Sequence, residues 1–137
     1  MSKTFTVEGD VTAADTRTLL TTQGSVTAPS SVVPAGMTKI DKILVAASSE
    51  GLANGAAVNI LRLGGNAVLG GEQTIVVSAV GRIAVQSGSD AAPQLMKVFI
   101  IEDADIEVRS SDTISISMEQ AGTDTGTVHA VVTLIYA

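Results

Sequence analysis

The chain has 137 residues, a formal net charge of −6, 45% hydrophobic residues, no cysteine, no tryptophan, a single histidine and only Phe5, Phe99 and Tyr136 as aromatic rings. Without cysteine there is no disulfide, no zinc–thiolate site and no thiol nucleophile, and the eight basic residues are too scattered to grip nucleic-acid phosphates. The length is that of one domain, residues 1–137, with an aliphatic and β-branched core that suits strands.

Thr4 to Glu8 alternates apolar and polar residues, which predicts a first strand, and Gly9-Asp10 reads as the turn that ends it. A Thr-rich second strand is expected within Arg17 to Val26. Val32-Val33-Pro34-Ala35-Gly36 reads as a connection or an edge, because Pro34 has no N–H to donate to a ladder. Thr38 to Ser49 fits two periods. Ile40, Ile43, Leu44 and Ala47 form a helical stripe, whereas Ile43, Val45 and Ala47 share a strand face. Strand is the preferred reading, because the run is β-branched and the Asn54-Gly55 pair downstream signals a type I′ hairpin turn.

The return strand, Ala57 to Leu63, leaves its register open: Val58 and Ile60 point opposite to Leu61 and Leu63, so a bulge or burial on both faces would be needed. Gly64-Gly65 and Gly70-Gly71 predict two tight turns around a minimal strand at Ala67-Val68. Gln73 to Val80 reads as a strand continued by Arg82 to Gln86, and Ser87 to Pro93 as an exposed loop. Leu95 to Ile101 is almost continuously apolar and is expected to be the most buried strand. Ile106 to Arg109, Thr113 to Glu119 and Thr127 to Tyr136 complete the strands, with Gly122 to Gly126 as the last turn. No segment reads as a helix. The sum is an all-β chain of about eight strands, an antiparallel β-sandwich expected to be a jelly roll. Strands that reach so close to both ends imply that both termini are tied into packed structure.

Four carboxylates, Glu102, Asp103, Asp105 and Glu107, could offer oxygen ligands to calcium, but they lack the glycine and spacing of a calcium loop and read as a solvated acidic turn. His129 shares a strand face with Thr127, Val131, Thr133 and Ile135 and reads as a structural or interface residue rather than a catalytic one. The glycine-rich run 64–72 is no phosphate loop, because Glu72 stands where a lysine is needed and no helix follows. The lack of aromatic platforms weighs against a sugar cleft. No enzyme, cofactor or small-molecule substrate is therefore expected. No basic leader followed by an apolar run and no apolar stretch of about 20 residues is found, which predicts synthesis in the cytosol and no membrane span.

Three runs, Val33 to Ala47, Asn59 to Gly65 and Gly126 to Tyr136, resemble small jelly-roll structural proteins of icosahedral DNA viruses and phages. The resemblance implies a capsid shell or capsid-decoration subunit, packed as trimers or higher capsomers with other capsid proteins and located in the virion after synthesis in host cytoplasm. The chain departs from relatives with a basic N-terminal arm, since the first 16 residues carry only Lys3 as a basic residue, and direct contact with nucleic acid is not expected. Subunit contacts are expected at the turns: Asn54 and Gly55; Gly65, Asn66 and Gly71; Asp90 and Pro93; Thr123 and Asp124. Two other functions fit the composition: a receptor- or carbohydrate-binding β-sandwich, and an extracellular filament or surface-layer subunit joined by strand exchange.

Overall fold

The computed structural model describes residues 3–11, 18–21, 31–50, 58–77, 95–121 and 127–137. Among them are ten strands and no helix: β1 (Lys3–Val11), β2 (Thr18–Leu19), β3 (Ser31–Val32), β4 (Lys39–Glu50), β5 (Val58–Gly64), β6 (Gln73–Val77), β7 (Leu95–Ile101), β8 (Ile106–Glu107), β9 (Thr113–Ala121) and β10 (Thr127–Tyr136). All pairings are antiparallel.

One sheet has the order β1-β10-β4-β7, with β8 also beside β4; the other has β2-β9-β5-β6, with β3 also beside β9. Because β2 and β3 lie along one side of β9, and β7 and β8 along one side of β4, the ten strands make eight rows, four in each sheet. The first row pairs with the last, the second with the seventh, the third with the sixth and the fourth with the fifth. This is a long hairpin rolled upon itself, consistent with the expected jelly roll. On one side, Glu8 and Thr21 exchange backbone hydrogen bonds of 2.7 and 2.9 Å, and Leu20 N–H reaches Ile116 O at 2.9 Å, so the chain bridges the two sheets there.

Alternation then decides what is buried. Val7 and Val11 of β1, Ile40, Ile43 and Val45 of β4, and Ala130, Val132, Leu134 and Tyr136 of β10 face inward. They meet Leu61 and Leu63 of β5 and Ile114, Ile116 and Met118 of β9 in one aliphatic core. The strand reading of Thr38 to Ser49 holds. The open register of β5 resolves with Leu61 and Leu63 inward and no register shift against either neighbour. Arg62 decides it: the opposite phase would bury Ile60 for roughly 2 kcal/mol but would also take a guanidinium out of water at several kcal/mol.

Two expectations are corrected. Gly9-Asp10 does not end the first strand, because β1 continues through both to Val11. Its glycine serves close packing instead: a Cβ there would lie 2.9 Å from Leu20 Cδ2. Leu95 to Ile101 is not the most buried strand. Among the described strands it lies at the end of its sheet, with Phe99 and Ile101 against the core and Val98 and Ile100 outward at 57% and 59% exposure. The strand expected within 17–26 is seen at Thr18–Leu19, followed by the bridge at Thr21, and residues 17 and 22–26 lie outside the described residues.

The connections 33–38, 65–72 and 102–112 lie at one end of the sandwich and are stitched together. Val33 N–H donates to Asp112 O (2.9 Å), Ser111 N–H to Val33 O (2.8 Å), Ala67 N–H to Thr113 O (2.8 Å), Arg109 N–H to Ala67 O (2.7 Å) and Val108 N–H to Thr38 O (2.9 Å). Val33, Met37, Ala67, Val68 and Val108 are buried beneath these bonds and close the core. The minimal strand expected at Ala67-Val68 is a single bridge, Val68 to Val108. The strand ends flanking 12–17, 51–57, 78–94 and 122–126 all lie at the opposite end.

Candidate functional site

Of the turn residues expected to make subunit contacts, Asn54, Gly55, Asp90, Pro93, Thr123 and Asp124 lie outside the described residues. Gly65, Asn66 and Gly71 share the stitched end. Gly65 has φ +95 and packs against β9, where a Cβ would meet Thr113 O at 2.7 Å, so this glycine has an internal task. Asn66 is exposed, and its carbonyl accepts a hydrogen bond from Arg109 Nη1 at 3.3 Å. Gly71 is exposed with φ +84 and has nothing near its missing Cβ.

The four acidic residues Glu102, Asp103, Asp105 and Glu107 are all exposed. Asp105 and Glu107 line two open depressions beside the 65–72 connection, one shared with Gln73 and the other with Lys39 and Leu69. Lys39 Nζ lies 3.8 Å from Asp41 and 3.7 Å from Asp105, which offsets part of the charge. Among the described residues no group of three or more His, Cys, Asp or Glu side chains is arranged to hold a metal ion. Calcium is accordingly expected to leave the melting temperature unchanged, and a rise with calcium concentration in a thermal scan would contradict this arrangement.

His129 faces outward from β10 and is opposite Asp10 of β1, with Nδ1 2.6 Å from Asp10 Oδ1. Both side chains are well exposed, so the pair is a surface contact worth at most about 1 kcal/mol. Tyr136, the single tyrosine, lies in the core at 1% exposure and is no platform for a sugar. Its hydroxyl has no hydrogen-bond partner among the described residues, and burial pushes its pKa up from 10.0 to about 12. Above pH 10 the unfolded chain releases this proton while the folded chain retains it, so stability falls as pH rises from 10 towards 12. The expected loss is about 2–3 kcal/mol, and denaturant titrations of Tyr136→Phe should lack it.

The two outer faces of the sandwich differ. The β2-β9-β5-β6 sheet presents Ser115, Ser117, Glu119, Arg62 and Thr74, with Arg62 paired to Glu119 and its Nε 3.7 Å from Glu72, together with the apolar Leu19, Val32, Ile60 and Val76, which lie among or beside these polar groups. The other sheet presents Leu44 and Ala46 of β4, Val98 and Ile100 of β7, and Val131 and Ile135 of β10. Cross-strand register makes them contiguous, in the rows Thr6–Thr133–Leu44–Ile100 and Glu8–Val131–Ala46–Val98, with Ile135 beside Lys42. β1 makes its side of this face polar, through Thr4, Thr6, Glu8 and Asp10, and β10 and β4 add Thr133, His129 and Lys42; Thr6 and Thr133 join hydroxyls at 2.9 Å.

This apolar face went unread in the sequence. Its signal was partial: β7 is largely apolar in both phases of its alternation, while the outward phases of β4 and β10 carry Leu44, Ala46, Val131 and Ile135 among polar residues. No described helix is long and apolar enough to cross a membrane. A search of protein-family models and of curated proteins matches nothing to this chain.

Proposed function

We propose that the protein is a virion structural subunit, a capsid shell or capsid-decoration protein that self-assembles into symmetric capsomers. The observation that carries the reading is the apolar outer face on β4, β7 and β10. In an acidic molecule a contiguous apolar face, more continuous than the apolar residues interspersed with charge on the other sheet, is a burial surface for a partner. The rolled-hairpin strand order and the stitched end support it, since a rigid subunit with one adhesive face suits repeated packing. The turn residues Asn66 and Gly71 would then sit at the rim of contacts at one end.

A second reading, a filament subunit joined by strand exchange, draws on the sheet edges: no described strand pairs with the far sides of β6 and β7. Electron microscopy of the native assembly, with sedimentation of the purified chain, separates the two. Closed shells containing the chain, or capsomers of fixed size, are expected; open fibres would favour the filament. A chain that stays monomeric at high concentration and is missing from every particle would overturn the assembly reading.

A further inference from the structure

The apolar face also carries charge in a pattern that specifies its partner. Its exposed cation, Lys42, stands on β4 beside Ile135, and its acids, Glu8 and Asp10, stand on β1. Asp10 is engaged by His129 within the chain. Among the described residues no ion pair uses Lys42 or Glu8. The two lie at opposite corners of the apolar patch, two strands and two rows apart, hence about 17 Å from one another on ordinary sheet spacings.

We infer that the occupant of this face is a second copy of the chain, packed face to face about a two-fold axis that sets Lys42 of each copy against Glu8 of the other. An isologous contact needs a surface complementary to itself, and this patch is one. With about 4.8 Å between strands and about 6.8 Å between successive outward residues, the axis exchanging the two positions runs from Thr133, between Leu44 and Ala46, to Val98. It therefore crosses the apolar side chains, places Ile100 of one copy over Ala46 and Val131 of the other, and leaves the charges at the rim. Strands of the two copies cross at roughly 70°, within the range of orthogonal sheet packing. The hydrophobic contact supplies affinity and the two symmetric ion pairs fix the register.

This interface rests on the self-assembly part of the proposed function and is tested separately from it. Zero-length carbodiimide cross-linking of the full chain should give a covalent dimer whose digest joins the Lys42 peptide to the Glu8 peptide. Within one copy the two are too far apart for that bond, so the product reports the contact between copies. In sedimentation equilibrium, Lys42→Glu and Glu8→Lys should each weaken association roughly tenfold, the double reversal should restore it, and Val98→Glu should abolish it. Circular dichroism should show all four variants folded, because the altered side chains are on the surface.

Association that survives both single reversals and Val98→Glu would overturn this interface while leaving self-assembly intact. A monomeric wild-type chain would also overturn it, and the presence or absence of the chain in isolated particles would then decide the assembly reading on its own.

Discussion

Gly65→Ala is expected to cost roughly 3 kcal/mol or more of folding stability, seen as a lower denaturant midpoint with little change in slope. Two independent penalties coincide at this position. The backbone has φ +95, which an L side chain rarely adopts. In addition, the new Cβ would lie 2.7 Å from Thr113 O, 3.1 Å from Ile114 Cα and 3.1 Å from Ser115 N, all backbone atoms of β9. Backbone in a paired strand cannot swing aside as a side-chain tip can. Relief would have to separate the 65–72 connection from β9, and with it the Ala67 N–H bond to Thr113 O.

Gly71→Ala is the matched control, because Gly71 has φ +84 but nothing within 4 Å of the position its Cβ would take. It should cost only about 1 kcal/mol, the strain without the clash. Equal losses at the two positions would mean that the close approach of Gly65 to β9 is not rigid.

The fold was legible wherever one phase of an alternating segment is forbidden to the core. Thr113 to Glu119 places Ile114, Ile116 and Met118 inward because the other phase holds Ser115, Ser117 and Glu119. In the same way, Arg62 fixes the phase of β5. Where both phases are apolar, pattern alone cannot tell a doubly covered central strand from an edge strand with an adhesive outer face. Leu95 to Ile101 is that case, and the expectation of deepest burial failed because topology set the strand beside β4 with no described strand on its other side. Gly9 failed for a different reason: the glycine admits Leu20 from across the sheets, and such a long-range contact leaves no local signature.

The candidate site divides along the same line. The acidic run and the paired glycines stand out in sequence because they are local. The apolar face joins Leu44, Val98 and Val131, residues distant in sequence that only the β10-β4-β7 register makes neighbours. The charges that bracket it, Lys42 and Glu8, likewise acquire meaning only when their strands are laid side by side.

Gln120→Met is expected to stabilise the protein by about 1–3 kcal/mol, the cost of keeping an unmet amide out of water. Gln120 continues the inward row Ile114, Ile116 and Met118 on β9 and is fully buried, yet neither its Oε1 nor its Nε2 has a hydrogen-bond partner among the described residues. Methionine keeps the length and flexibility of the side chain while removing both polar atoms, so little repacking accompanies the change. Gln120→Glu supplies the opposite limit, since it retains the shape and buries a group that ionises. Its stability should be closest to wild type at low pH and should fall as pH rises above the ordinary carboxylate range, because the unfolded chain releases the proton more readily than the buried site. Urea titrations of the three proteins at several pH values give both results. A loss of stability in Gln120→Met at neutral pH would show that the amide is satisfied in solution and that this end of the core is polar by construction. A gain would identify Gln120 as a residue retained at the expense of stability, at the end of the sandwich opposite the stitched connections.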